Sequence, residues 1–171
     1  MKLTDTERAL LVAGIAAAAT VIVGLLAALA AYLASKRERR RDLYSEAVRA
    51  VVGWKEMVYR LRRREAGQER ELINHFHTLQ DQLSYYQAWI GSDSKYMKRS
   101  YDRLVKGVKD RTEKLITDAW KERIRAKPGN ARPGDVHPEL SDLVDSFLRD
   151  VRSHLSPWPW RKLAVWWRNR E

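Results

Sequence analysis

The run "WKEMVYRLRRR", Trp54 to Arg64, sets Arg60, Arg62, Arg63 and Arg64 within five residues. A guanidinium is a planar fork of donors that grips phosphate or carboxylate oxygens in pairs, so this cluster has the chemistry of an anion or partner site. Nucleotides, nucleic acids and phosphorylated groups are the ligands it suits. A plainer role competes: the four residues fall where a helix should end, and the negative end of a helix dipole favours cations. The plainer role accounts for most of the charge, and the anion site stands as the alternative.

The other chemistry-bearing groups assemble nothing. In "NHFH", Asn74 to His77, the two histidines lie about 200° apart around a helix and face different ways. His77 and Asp81 share a face, but two ligands fall short of a metal site. His137 and His154 stand far along the chain. Cysteine is absent, which removes disulfides and thiolate ligands and fits a reducing interior. There is no HExxH, glycine-rich phosphate loop, nucleophile elbow or paired-acid pattern. Glu56, Glu113, Asp118 and Glu122 read as surface carboxylates, and Tyr85 with Trp89 as packing aromatics. The expectation is a protein that is not an enzyme, with no catalytic residues, no metal and no cofactor.

The C-terminal "SPWPWRKLAVWWRNRE" carries Trp158, Trp160, Trp166 and Trp167 beside Arg161, Lys162, Arg168 and Arg170. On a helix, Trp160, Leu163, Ala164 and Trp167 share one face. Indoles favour the membrane–water interface, and basic side chains suit anionic headgroups. Packing of the indoles against the rest of the chain is the competing reading. The membrane surface is preferred for these residues, with Pro157 and Pro159 leaving the segment free to reorient.

These groups depend on the elements that carry them. The chain has 171 residues and a net charge of +11, unevenly spread. Lys36 to Arg64 holds 11 basic and 4 acidic residues, whereas Glu65 to Val151 holds 15 of each. A general nucleic-acid binder spreads its charge over a face, so nucleic acid is a lesser partner here. Leu10 to Leu33 contains no charge and no proline over 24 residues. About 20 helical residues cross a bilayer core, and a helix satisfies its own backbone there. A cleaved signal peptide would have a basic front and a shorter apolar run. Lys36, Arg37, Arg39, Arg40 and Arg41 come directly after the span. By the positive-inside rule they hold the C-terminal side in the cytoplasm, where they can also rest on anionic lipid. Ala16, Thr20, Gly24 and Ala28 recur every fourth residue, a ridge of small side chains that suits self-association of the span and so a homo-oligomer.

Helical periodicity continues beyond the span. Leu43, Ala47, Val51, Trp54, Val58 and Leu61 form one apolar face, ending near Gly67. A second helix is expected over residues 68–90, with Leu72, Phe76, Leu79, Leu83, Tyr86 and Ile90 inward. "GSDS", Gly91 to Ser94, reads as a turn with an N-cap. A third helix is expected over residues 94–125, with Met97, Tyr101, Leu104, Val108, Leu115 and Ala119 inward and a weak point at Arg111 or Thr112. "KPGNARPGDVHP", Lys127 to Pro138, reads as a loop, and a fourth helix should begin at Pro138. Its buried side would be Leu140, Leu143, Val144, Phe147, Leu148, Val151 and Leu155. Short turns imply antiparallel neighbours.

The expected fold is all-α: one N-terminal transmembrane helix followed by an antiparallel helical bundle of about four helices. The divisions are residues 1–8 outside, 9–35 in the membrane, 36–64 as a basic juxtamembrane helix, 68–155 as the bundle and 156–171 as the tail. At "WKEMVYRLRRR" and "LQDQLSYYQAWI" the chain resembles a set of uncharacterised bacterial proteins with one membrane span and a helical cytosolic region. That resemblance implies an inner-membrane setting and no activity. The expected function is a membrane-anchored interaction protein, an adaptor, scaffold or sensor with an unknown protein partner. The alternative is an anion-responsive or defence-type effector built on the arginine cluster.

Overall fold

The computed structural model describes residues 5–121 and 138–170. Among the described residues there are five helices and no strand: α1 (Asp5–Arg62), α2 (Glu69–Asp93), α3 (Lys95–Lys121), α4 (Ser141–His154) and α5 (Pro159–Arg168). The expected loop from Lys127 and the end of the third helix lie outside the described residues, as do Glu122 and His137. The chain divides into a unit ending at Arg40 and a unit from Arg41 onward.

The first unit is the apolar part of α1. It holds a stretch long and apolar enough to cross a membrane. Every side chain from Ala13 to Arg39 is exposed, including Ile22, Val23, Leu25, Leu26, Leu29 and Leu33.

The second unit buries most of its apolar residues in one cluster drawn from all five helices. The last part of α1 contributes Tyr44, Ala47, Ala50, Val51, Trp54, Met57 and Leu61. Gly67 then turns the chain at φ 93°, a conformation that costs a side chain dearly and glycine little. The Glu65 and Gly67 N–H groups donate to Gln68 Oε1 and Glu69 Oε2, both at 3.0 Å, so the start of α2 satisfies the turn.

The α2–α3 turn is tighter than the expected four residues. The helix continues through Gly91 to Asp93, and Ser94 alone is extended. The Ser94 N–H donates back to Ile90 O at 2.9 Å, while its hydroxyl accepts from Met97 N–H at 3.3 Å, so one residue closes α2 and caps α3. At the fourth helix, residues 138–140 precede the first turn, which begins at Ser141. Glu139 holds that turn by accepting from the Ser141 N–H and hydroxyl, and these bonds keep its carboxyl below the usual range.

Contacts between helices run in a consistent order. Along α1 and α3 they rise together: Tyr101 OH donates to Ala47 O at 3.4 Å, Trp54 Nε1 to Thr112 Oγ1 at 3.0 Å, and Arg64 to Ala119 O. Against α2 they fall: Tyr44 OH donates to Asp93 Oδ2 at 3.2 Å, and Trp54 meets Phe76 edge-on at 5.5 Å. Between α3 and α4 they also fall, Ser100 pairing with Asp150 and Arg111 with Asp142. Burial drives the Tyr101 phenol far above its ordinary value, so it remains a neutral donor. Thr112, at the expected break in the α3 stripe, is buried because its hydroxyl receives the Trp54 indole and donates to Val108 O at 2.8 Å.

Candidate functional site

The most developed polar constellation of the second unit fixes α5. Asp150 on α4 is buried, its side chain 4% exposed. It accepts from Ser100 Oγ at 2.7 Å and Asn169 Nδ2 at 3.1 Å, and pairs with Arg168 at 2.5 Å. Asn169 is itself fully buried, and its side-chain oxygen accepts from Arg103. Arg99 donates to Asn169 O at 2.9 Å and to Arg170 O at 2.6 Å. Arg103 donates to Arg168 O at 3.3 Å. These arginines supply donors to the carbonyls that the end of α5 leaves open. Val165 is buried beside this network, and Trp166 meets Tyr96 edge-on at 6.4 Å.

With that face of α5 engaged, the opposite face points outward. Trp160, Leu163 and Trp167 are 59%, 59% and 68% exposed, and Ala164 between them is exposed. Trp158, also exposed, stacks on Trp160 at 4.7 Å. Arg161, Lys162 and Arg170 remain at the surface, with the Arg170 guanidinium 5.4 Å over the Trp167 ring. Arg168 differs from them, being turned to Asp150. The expected freedom of the tail to reorient about Pro157 and Pro159 is not what the contacts describe: α5 is docked by one face. The sequence reading missed Asp150, Asn169, Arg99 and Arg103. The available signal was an acid at the i+3 position from Phe147, inside the apolar stripe of α4.

The arginine cluster separates. Arg64 is buried, and its guanidinium donates to Leu61 O at 3.0 Å, Trp120 O at 3.1 Å and Ala119 O. It also lies 5.3 Å over the Trp120 ring. Its role is to join the ends of α1 and α3. Arg62 is half-buried. Arg60 and Arg63 are exposed and share a pocket of about 280 Å³ with Glu56, Tyr59, Gln68, Glu71 and Leu72. The two carboxylates in that lining oppose anion binding.

A larger groove of about 540 Å³ lies where the start of α2 faces the end of α3. Trp54, Ile73, Phe76, Ile116 and Trp120 give it an apolar wall, and His77, Gln80, Lys109, Glu113 and Thr117 complete the lining. Lys109 stands 5.6 Å over the Trp54 ring. No cluster of three metal-ligating side chains occurs among the described residues. His154 instead stands on α4 with its Nε2 3.4 Å from Asp93 Oδ2.

In the first unit, Ala16, Thr20, Gly24 and Ala28 lie exposed on α1, and Thr20 Oγ1 donates to Ala16 O at 2.9 Å. Lys36, Arg37, Arg39 and Arg41 are exposed and Arg40 is half-buried. Comparison with known proteins finds no matching family, no matching curated protein and no matching solved structure.

Proposed function

We propose that the chain is a non-enzymatic, single-pass membrane protein whose antiparallel helical bundle serves as an adaptor, scaffold or sensor at the cytoplasmic face. One observation carries this reading. Most apolar residues of the second unit are gathered into a core, whereas those from Ala13 to Leu33 are all exposed over a length that suits a bilayer. A bilayer removes that surface from water without requiring a protein partner. Lys36, Arg37, Arg39, Arg40 and Arg41 argue for a cytoplasmic position of residues 42–171.

The absence of cysteine makes the test clean. Single-cysteine variants Thr6→Cys and Ser84→Cys, both at exposed positions, are labelled in intact cells with a membrane-impermeant maleimide. Thr6→Cys should label directly and Ser84→Cys only after permeabilisation. Release of the chain from membranes by alkaline carbonate, or the reverse labelling pattern, refutes the reading.

The second reading is an anion-responsive or defence-type effector. The shared pocket of Arg60 and Arg63 supports it, while the inward turn of Arg64 and the presence of Glu56 and Glu71 weigh against it. A thermal shift on adding nucleoside triphosphate or RNA, lost in Arg60→Ala/Arg63→Ala, would favour this reading over the first.

A further inference from the structure

Within the second unit, several features meet at one end. Tyr44, in the unit's first turn, reaches Asp93 at the end of α2. Its ring lies 6.1 Å from that of His154, at the end of α4. The turn into α3 and the start of α5 come directly after those two helix ends. The point where the chain enters this unit therefore lies beside the segment that launches α5. The outward face of α5 is apolar and aromatic, its flanks are basic, and no acidic residue occurs between Pro157 and Arg170. The inward face is already committed to Asp150, so the tryptophans are presented on a fixed helix.

We propose that Trp158, Trp160, Leu163 and Trp167, flanked by Arg161, Lys162 and Arg170, form a preformed contact face for an anionic lipid surface. The inference rests on the membrane reading above and names a second point of contact with the same bilayer. Charge decides the occupant. A soluble partner would need an acidic rim around an apolar pocket, whereas an anionic bilayer offers both over any area. Indoles are suited to this depth, with an apolar body and one N–H that can reach water. Two conditions lower the cost of contact. A chain anchored by its own span meets the bilayer intramolecularly, so a weak surface affinity suffices. A helix already folded and docked also loses little conformational freedom on contact.

The test uses the full chain reconstituted in vesicles of neutral lipid, or of neutral lipid with a third phosphatidylserine, each with bromine atoms high on the acyl chains. Bromine quenches nearby indoles. Trp158, Trp160 and Trp167 are three of seven tryptophans. Seating the face should remove up to roughly two fifths of the emission in the anionic vesicles, because interfacial indoles lie within reach of shallow bromines. Quenching should be much weaker in neutral vesicles and should diminish in 1 M salt. It should be largely lost in Trp160→Ser/Trp167→Ser, which keeps Trp158 as the one indole of the face and whose exposed positions leave the fold intact by circular dichroism. Equal quenching in the parent and this variant overturns the proposal. Retention after alkaline extraction then shows that the membrane reading itself survives, whereas loss on extraction shows that the reading failed first. Burial of Trp160 and Trp167 that disappears on diluting the protein within neutral vesicles also overturns the proposal, in favour of a contact between copies.

Discussion

Arg64 separates a ligand-binding arginine from a structural one, and the distinction can be measured. Its guanidinium donates to three backbone carbonyls, those of Leu61, Ala119 and Trp120, and covers the Trp120 ring. A hydrogen bond to a charged group contributes about 1.5–3 kcal/mol, and a group of bonds from one side chain is not additive. Arg64→Ala removes all three, and water can re-enter at the helix ends to restore part of the loss. The expected cost is about 2–4 kcal/mol, a large share of the 5–15 kcal/mol typical of a folded domain. At roughly 2–4 °C per kcal/mol for a chain of this size, the melting midpoint should fall by about 4–16 °C. Arg64→Lys keeps the charge but loses the fork, and should recover less than half of that. The exposed Arg60→Ala and Arg63→Ala serve as controls and should stay within about 0.5 kcal/mol of the parent. The assay is thermal unfolding of the full chain in detergent, followed by circular dichroism. If Arg64→Ala melts with the two controls, the structural account of Arg64 is wrong and the residue returns to the anion-binding cluster.

The Trp54 indole N–H reaches Thr112 inside the core. Thr112→Val should therefore cost about 1–3 kcal/mol by leaving a buried donor unsatisfied, and in Trp54→Phe the same threonine change should cost far less, as a double-mutant cycle of unfolding free energies would reveal. A Cβ at Gly107 would lie 2.9 Å from Leu143 Cδ1. Gly107→Ala should lose about 1–3 kcal/mol through overpacking despite its better helix propensity, and Leu143→Ala/Gly107→Ala should lose less than the two changes summed. Arg111 grips Asp142 through two bonds of 2.6 Å, and this holds the Asp142 carboxyl below its ordinary value of 3.8. The pair's contribution is thus complete above that value and fades as pH falls through the lowered one. Asp142→Asn should flatten the acid limb of a stability-against-pH curve there and lower the neutral plateau by the same amount, which is small because both groups are largely exposed.

Much of this molecule was readable along the chain because its signals are local. An uncharged run of 24 residues and steps of three and four between apolar residues specify helices without any knowledge of what lies opposite. So does the common face of Trp160, Leu163, Ala164 and Trp167. What the chain could not disclose depends on residues brought together from distant positions. Arg63 and Arg64 are neighbours of the same type, yet one is exposed and the other buried, because the end of α3 arrives with carbonyls that, with that of Leu61 on α1, make three for Arg64 to satisfy. Asp150 reads as a surface acid until Ser100 and Asn169 converge on it from elements 50 and 19 residues away. Gly91 reads as a turn, but Ser94 alone reverses the chain, and α2 runs on to pack Gly91 against Lys98. Periodicity encodes which side of a helix avoids water. Desolvation and hydrogen-bond satisfaction among residues far apart in the chain decide which polar groups join that side, and only the tertiary structure brings those residues into contact.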